Sequence, residues 1–481
     1  MSLLKSTLNG MAWTTISTVA RSLVSLFQVS ILARQLSKED FGTIAIAVVF
    51  IGFTQVFLDL GISSGIMHKQ DSTPKQLSSL FWLNVSVGVL LTGVLMALAP
   101  LISMFYNDKS LTPIIVLLSL TVLFASWGSQ HRTIQQKEMR FKIIAIIEVL
   151  SSFLTMGIAV FFAIKGYGVY SLVYSTLAGA FFSNLSFLII GLNRDKNIRF
   201  HFKIKETYPY LKIGIYSIGS SVLDYFAREV DVIFISSAFG RDVLGLYSLC
   251  KKVVQMLYGI INPILTRVLT PLFAKMQLDK THLKDAYLKV IETLSITNFP
   301  VYFFVAVFSR GILQILYGEQ YVEGDFILSI LALYYGLLSV SNPVGSLQIA
   351  LGRTDIGFYW TIYRVIATLS VVYVGSFFTI EVFVLLILAM AIINTVLMWR
   401  FQIYTMIKVD FTNYFLPILK PLSITLFISL PAYFLFHHSM SLYTMLAVFI
   451  GLVLVYVTCV NFFLSKSYIV GFINRAYLKR F

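Results

Sequence analysis

The stretch GIYSIGSSVLDYFAREVDVIFISSAFG, residues 214–240, is long enough to cross a bilayer, yet it carries Asp224, Arg228, Glu229 and Asp231. A hydrocarbon core of about 30 Å takes about 20 helical residues. An ionised side chain at its centre costs roughly 2.5–3.5 kcal/mol on insertion scales. A span with four such groups must therefore turn them to protein or to water. On a helical wheel of about 100° per residue, Ser217, Ser220, Ser221, Arg228 and Asp231 fall on the side of Asp224, while Glu229 points elsewhere. The span is a helix with one polar stripe.

The rest of the chain sets that stripe in context. The 481 residues are 58% hydrophobic and 12% charged, with a mean hydropathy of +0.83. Apolar runs of spanning length recur throughout, so the fold class is an all-α polytopic membrane protein. Fourteen spans are expected: 9–34, 40–66, 78–105, 112–131, 142–164, 168–192, 208–237, 243–270, 286–309, 326–350, 357–379, 382–407, 415–436 and 442–465. The first reads as a retained helix rather than a cleaved signal, because Thr14, Thr15, Ser17, Thr18 and Arg21 make it too polar for an export signal core. Cys250 and Cys459 fall inside spans and read as packing residues.

The net charge of +15 is mostly a topology signal. The termini and alternate loops, with Lys137, Arg140, Lys142, Lys203, Lys205, Lys275, Lys280 and others, hold most of the Lys and Arg. Basic loops stay cytoplasmic, so both termini are expected inside, and no nucleic-acid partner is expected.

The polar stripe is repeated. Thr14, Ser17, Thr18, Arg21, Ser25 and Gln28, each advanced by 203, land on Ser217, Ser220, Ser221, Asp224, Arg228 and Asp231. The same offset aligns SKEDFG (37–42) with GRDVLG (240–245), Gln55 with Tyr258 and Asp59 with Asn262. A second offset, 216, pairs FFAIK (161–165) with FFTIE (377–381) and sets Glu148 in register with Arg364. The expected architecture is two parallel six-helix repeats around a central cavity plus two C-terminal helices. The boundaries are 1–207, 208–410, and 411–481 for the last two helices with a basic cytoplasmic tail.

A cavity explains the charges. Arg21, Arg228, Lys251, Lys252 and Arg364 form the candidate cationic lumen, which would favour an anionic ligand. Ser17, Gln28, Gln55, Ser220, Gln255, Tyr258 and Asn262 would line it. Asp59, Glu148, Asp224 and Asp231 are candidates for sodium or proton coupling. A buried structural ion pair is the competing account of Asp224, Arg228 and Asp231, which sit at helix-neighbour spacing. No P-loop, HExxH or GxSxG signature is present, and neither metal nor cofactor nor enzyme activity is expected.

LARQLSKEDFGTIAIA (32–47), FLDLGISSGIMHKQD (57–71), QQKEMRFKIIAIIEVLSS (135–152), GYGVYSLVYSTL (166–177) and LGLYSLCKKVVQ (244–255) resemble the polysaccharide-transporter branch of the multidrug/oligosaccharidyl-lipid/polysaccharide flippases, the Wzx-like proteins. The resemblance covers most of residues 5–410. It implies a multi-pass protein of the bacterial inner membrane in which two lobes alternate access. It implies translocation of an undecaprenyl-diphosphate-linked oligosaccharide to the periplasmic leaflet, with membrane lipids and other polysaccharide-assembly membrane proteins as partners. Two alternatives stand beside it: an ion-coupled multidrug exporter of the same broad fold, and a membrane glycan polymerase or ligase.

Overall fold

The computed structural model describes residues 3–69, 71–195, 201–436 and 442–463, and all the regular structure among them is helical. The helices are α1 (Leu3–Ala33), α2 (Lys38–Leu58), α3 (Ile62–His68), α4 (Pro74–Phe105), α5 (Leu111–Lys137), α6 (Phe141–Ile164), α7 (Tyr170–Ile190), α8 (Ile204–Met276) and α9 (Lys280–Val307). They continue as α10 (Ser309–Tyr317), α11 (Asp325–Ser341), α12 (Pro343–Ala350), α13 (Thr354–Gly375), α14 (Ile380–Met398), α15 (Tyr404–Ile407), α16 (Phe411–Phe436) and α17 (Leu442–Phe463). The chain is an all-α polytopic membrane protein. Among the described residues, 12 helical stretches are long and apolar enough to cross a membrane. One of them, Ile218–Ile260, runs through both arms of α8, and α17 contributes a shorter apolar stretch, Ile450–Val460. The set is compatible with the fourteen expected spans. The expected basic tail and the side chain of Ser217 lie outside the described residues.

Local sequence explains where helices begin and break. Ser37 caps α2: its Oγ accepts from the Asp40 amide at 3.2 Å, and Asp40 Oδ2 accepts from the Ser37 amide at 3.0 Å. Thr73 and Gln76 do the same for α4, with Pro74 in the first turn. Such caps satisfy donors that a helix start leaves open, each worth about 1 kcal/mol. α8 is interrupted at Gly240, whose φ of 85° suits glycine, and the interruption separates the two spans expected there.

Two expected spans are redrawn. The span 40–66 is not continuous: α2 ends at Leu58, Leu60 and Gly61 take φ of 44° and 66°, and α3 restarts at Ile62. Asp59 rebuilds the start of α3, accepting from the Ser63 amide at 3.3 Å and from the Ser63 hydroxyl. The span 112–131 extends to Lys137, so Arg132 belongs to helix α5 rather than to a loop. The polar run Gln130, His131, Thr133, Gln135 is buried there against neighbouring helices. His131, at the end of the expected span 112–131, is fully buried beside the Phe81 ring and close to Gly191.

The chain forms two compact units, Met1–Ser248 and Leu249–Phe481. In the first, α5 packs on α4, α2 and α7, and α6 packs on α7 and α1. Small residues let these helices approach. A Cβ on Gly88 would come within 2.5 Å of Ser126, and one on Gly128 within 2.7 Å of the Asn184 Cα. Asn84 Nδ2 donates to Ser129 Oγ at 2.8 Å across the α4–α5 seam. In the second unit the pattern recurs: α9 packs on α11, α11 on α14, and α13 on α14. A π-helical turn follows both α7 (Gly191–Asp195) and α14 (Trp399–Ile403), the sixth span of each repeat. α16 and α17 pack on α9, where Tyr456 Oη donates to the Ile296 carbonyl at 2.9 Å.

Candidate functional site

Each unit holds ionic or polar groups inside helices of spanning length. In the first unit, Arg21 of α1 pairs with Glu148 of α6, Nη1 to Oε2, at 3.1 Å. Arg132 of α5 donates to the other oxygen, Oε1, from Nη2 at 2.6 Å and from Nε at 3.0 Å. The Glu148 side chain is 10% exposed, against 41% for Arg21 and 50% for Arg132. One carboxylate thus sits inside two guanidiniums, and the cluster keeps one net positive charge. Arg132 is absent from the expected lumen cations, because hydropathy puts it in a loop. No sequence signal joins it to Glu148, which lies 16 positions on and in another helix.

Next to it on α5, Thr133 Oγ1 lies 3.0 Å from Ser63 Oγ, which also bonds Asp59. Asp59 therefore serves the restart of α3 and ties it to α5.

The opening stretch lies on the first arm of α8. Arg228 Nε is 3.4 Å from Asp224 Oδ2, and the Arg228 side chain is 62% exposed. Asp231 does not share the Asp224 position. It is buried, with Tyr247 Oη donating to its Oδ2 at 2.5 Å and the Val232 amide donating to Oδ1 at 2.9 Å. Tyr225 Oη reaches across to α2 and donates to the Val49 carbonyl at 2.9 Å. Of the other expected lining residues in this unit, Ser17 is buried with its hydroxyl on the Thr14 carbonyl at 3.0 Å, Gln28 and Ser220 are half-buried, and Gln55 is exposed.

A further charged cluster in this unit is not apparent from the sequence. Arg241, just past the Gly240 break, donates from Nη1 to Asp108 Oδ2 at 2.6 Å and pairs through Nη2 with Glu39. Asp108 is buried, and its other oxygen accepts from the Ser110 amide at 2.9 Å and hydroxyl at 2.7 Å. The cluster joins the start of α2, the α4–α5 turn and the elbow of α8.

In the second unit, Lys251 is buried, Lys252 and Gln255 are exposed, and Arg364 is half-buried on α13. Tyr258 packs edge-on against Tyr335 with ring centres 5.8 Å apart. Asn262 is buried, not surface-lining, and donates to Ser339 Oγ at 3.4 Å; Ser339 in turn donates to Tyr302 Oη at 3.2 Å. Farther along, Thr270 donates to Ser346 at 2.9 Å. Polar side chains here join α8, α9 and α11–α12, as expected where water does not compete for them.

Comparison with known proteins places this geometry. A family described as Polysaccharide biosynthesis protein matches residues 31–324. The lipopolysaccharide biosynthesis protein WzxC of Escherichia coli (strain K12) is 30% identical over 436 residues, covering 89% of this chain and 87% of that protein. The teichuronic acid biosynthesis protein TuaB of Bacillus subtilis (strain 168) is 28% identical over 436 residues, covering 88% of each. Among solved structures, the lipid II flippase MurJ in an inward closed conformation superposes with a TM-score of 0.76 at 16% identity, over 94% of this chain and 98% of that one. At that identity the likeness shows a shared fold.

Proposed function

Because this chain belongs to the polysaccharide biosynthesis protein family, we propose that it translocates a lipid-linked oligosaccharide between the leaflets of a membrane. The substrate is an undecaprenyl-diphosphate-linked glycan, the membrane is the bacterial inner membrane, and the direction is from the cytoplasmic to the periplasmic leaflet. Both termini are cytoplasmic, in keeping with the basic loops. The mechanism is alternating access between two lobes, each a six-helix repeat, and not bond chemistry.

One observation carries the reading. Arg228 sits within an apolar spanning helix with 62% of its side chain exposed and Asp224 beside it. Such a guanidinium is costly against acyl chains and inexpensive against water. A watered, cationic surface inside a membrane protein suits an anionic headgroup dragged through it. Arg21, Arg228, Lys251, Lys252 and Arg364 would receive the diphosphate and sugars, with Gln28, Gln55, Ser220, Gln255 and Tyr258 alongside. Asp224 would hold Arg228 between loads, and Asp59, Glu148 and Asp231 are the remaining candidates for ion coupling. The lipid chain would stay in the bilayer. A multidrug exporter would favour organic cations, which this surface repels.

The test is leaflet-resolved detection of the lipid-linked intermediate. Deletion of the gene is expected to strand it on the cytoplasmic leaflet. Arg21→Ala with Arg228→Ala is expected to slow translocation in a chain that still folds. Normal export by the folded double variant would remove these residues from the site.

A further inference from the structure

We infer that Arg132 and Arg21 form one seat for a phosphoryl anion, with Glu148 as the positioning residue that fixes their spacing. For its natural ligand this rests on the transport reading above; the seat itself rests on geometry.

Three helices build it. α5 brings Arg132, α1 brings Arg21, and α6 brings the acid between them. Glu148 spends Oε1 on Arg132 and Oε2 on Arg21, so the two cations hold a fixed separation instead of repelling one another apart. The exposure pattern runs opposite to that of a purely structural triad. The acid is inside, and the two arginine side chains around it are 41% and 50% exposed. A guanidinium has five N–H donors. Arg21 engages Glu148 through Nη1 and Arg132 engages it through Nε and Nη2, which leaves Nη2 of the first and Nη1 of the second as donors. Spare donors therefore remain at two points. Two bases on one acid also leave a positive charge to be met.

The ligand class follows from those donors. Guanidinium forks match phosphoryl and carboxylate oxygens in geometry and charge. Two forks held apart on different helices suit a diphosphate, which presents oxygens to both; a monophosphate satisfies one. The phosphoryl pair could come from a prenyl diphosphate or from free pyrophosphate, whereas phosphatidylglycerol offers only a single phosphodiester.

The experiment measures binding to the full-length chain in detergent micelles, with farnesyl diphosphate as the probe. Farnesyl monophosphate and inorganic pyrophosphate are compared, and phosphatidylglycerol micelles serve as competitor. The wild type is expected to prefer the diphosphate to the monophosphate. Arg132→Ala is expected to weaken diphosphate binding roughly ten- to a hundredfold, the loss of charge-assisted hydrogen bonds. Arg132→Lys keeps the charge pair but not the fork, and is expected to fall between them; it decides the matter if the alanine variant does not fold. In a double-mutant cycle the losses from Arg21→Ala and Arg132→Ala are expected to be non-additive, and Glu148→Gln is expected to abolish that coupling. Competition by pyrophosphate supports the seat and assigns recognition to the phosphoryl pair. Unchanged affinity in both Arg132 variants, additive losses, or equal displacement by phosphatidylglycerol would overturn it. Because binding is read without transport, a failed seat leaves the transport reading standing, and a failed transport assay leaves the seat intact.

Discussion

Gly42 and Gly245 meet where α2 and the second arm of α8 begin, and each faces the other's helix start: a Cβ on Gly42 would run into the Arg241 carbonyl, and one on Gly245 into the Lys38 carbonyl. The contact is reciprocal, as at a two-fold interface, because 42 and 38 advanced by 203 give 245 and 241. The repeat seen in the sequence is thus realised as a crossing of its two copies of one turn. Only glycine allows backbones this close.

Replacing either glycine with alanine is therefore expected to destabilise, although alanine normally improves a helix by about 1 kcal/mol over glycine. The obstacle is backbone, which yields less than a side chain, so a loss of about 1–3 kcal/mol is expected. Gly157, within α6, has open space where its Cβ would stand, with no atom within 4 Å, and Gly157→Ala is expected to shift stability the other way. Thermal unfolding of the three variants in one detergent checks the opposite signs.

Arg241→Ala strips the buried Asp108 of its cation, leaving its carboxylate with only the Ser110 amide and hydroxyl. A carboxylate left unpaired in a buried site costs about 3–5 kcal/mol, and less here because Arg241 is a third exposed. Arg241→Ala with Asp108→Asn is expected to recover part of the loss. Equal unfolding midpoints for the single and double variants would show that Asp108 does not depend on Arg241. Glu39→Gln is expected to matter little, since Glu39 is exposed.

Tyr225→Phe deletes the bond to the Val49 carbonyl across α2 and α8, at an expected cost of about 1 kcal/mol. Gly52 leaves room for that phenol, so Gly52→Val is expected to displace the Tyr225 ring and cost more. Tyrosine fluorescence and unfolding midpoints of the two variants separate a lost bond from a lost fit.

Glu206 provides a pH dependence outside the spans. Its carboxyl is held below the usual glutamate range, first by the His201 ring and then by the Ser79 hydroxyl, at 3.0 and 2.8 Å. A carboxyl with a depressed folded-state pKa contributes its full stability above the ordinary value and loses it as pH falls through the lower one. The wild type is expected to lose stability progressively below about pH 4.5, the ordinary glutamate range, and Glu206→Gln is expected to flatten that limb. Identical acid limbs in the two proteins would show that Glu206 does not contribute.

Much of this is legible in the sequence, because it depends on local chemistry. Hydropathy over a span is a sum over neighbours along the chain, so the helices and the elbow near Gly240 can be read directly. The 203-residue offset sets SKEDFG against GRDVLG from the order of residues alone. The polar stripe around Arg228 shows that one helix face needs water or protein.

What tertiary structure alone decided is which distant groups meet. Hydropathy reads the polar residues at the end of α5 as an exit into water, but Gln130, His131 and Thr133 are polar and buried, since neighbouring helices rather than solvent surround them. Arg21, Arg132 and Glu148 lie far apart in the chain, and sequence assigns them charge but no partner. Coulomb attraction acts through space, and only the packing of α1, α5 and α6 makes those separations short enough to join them.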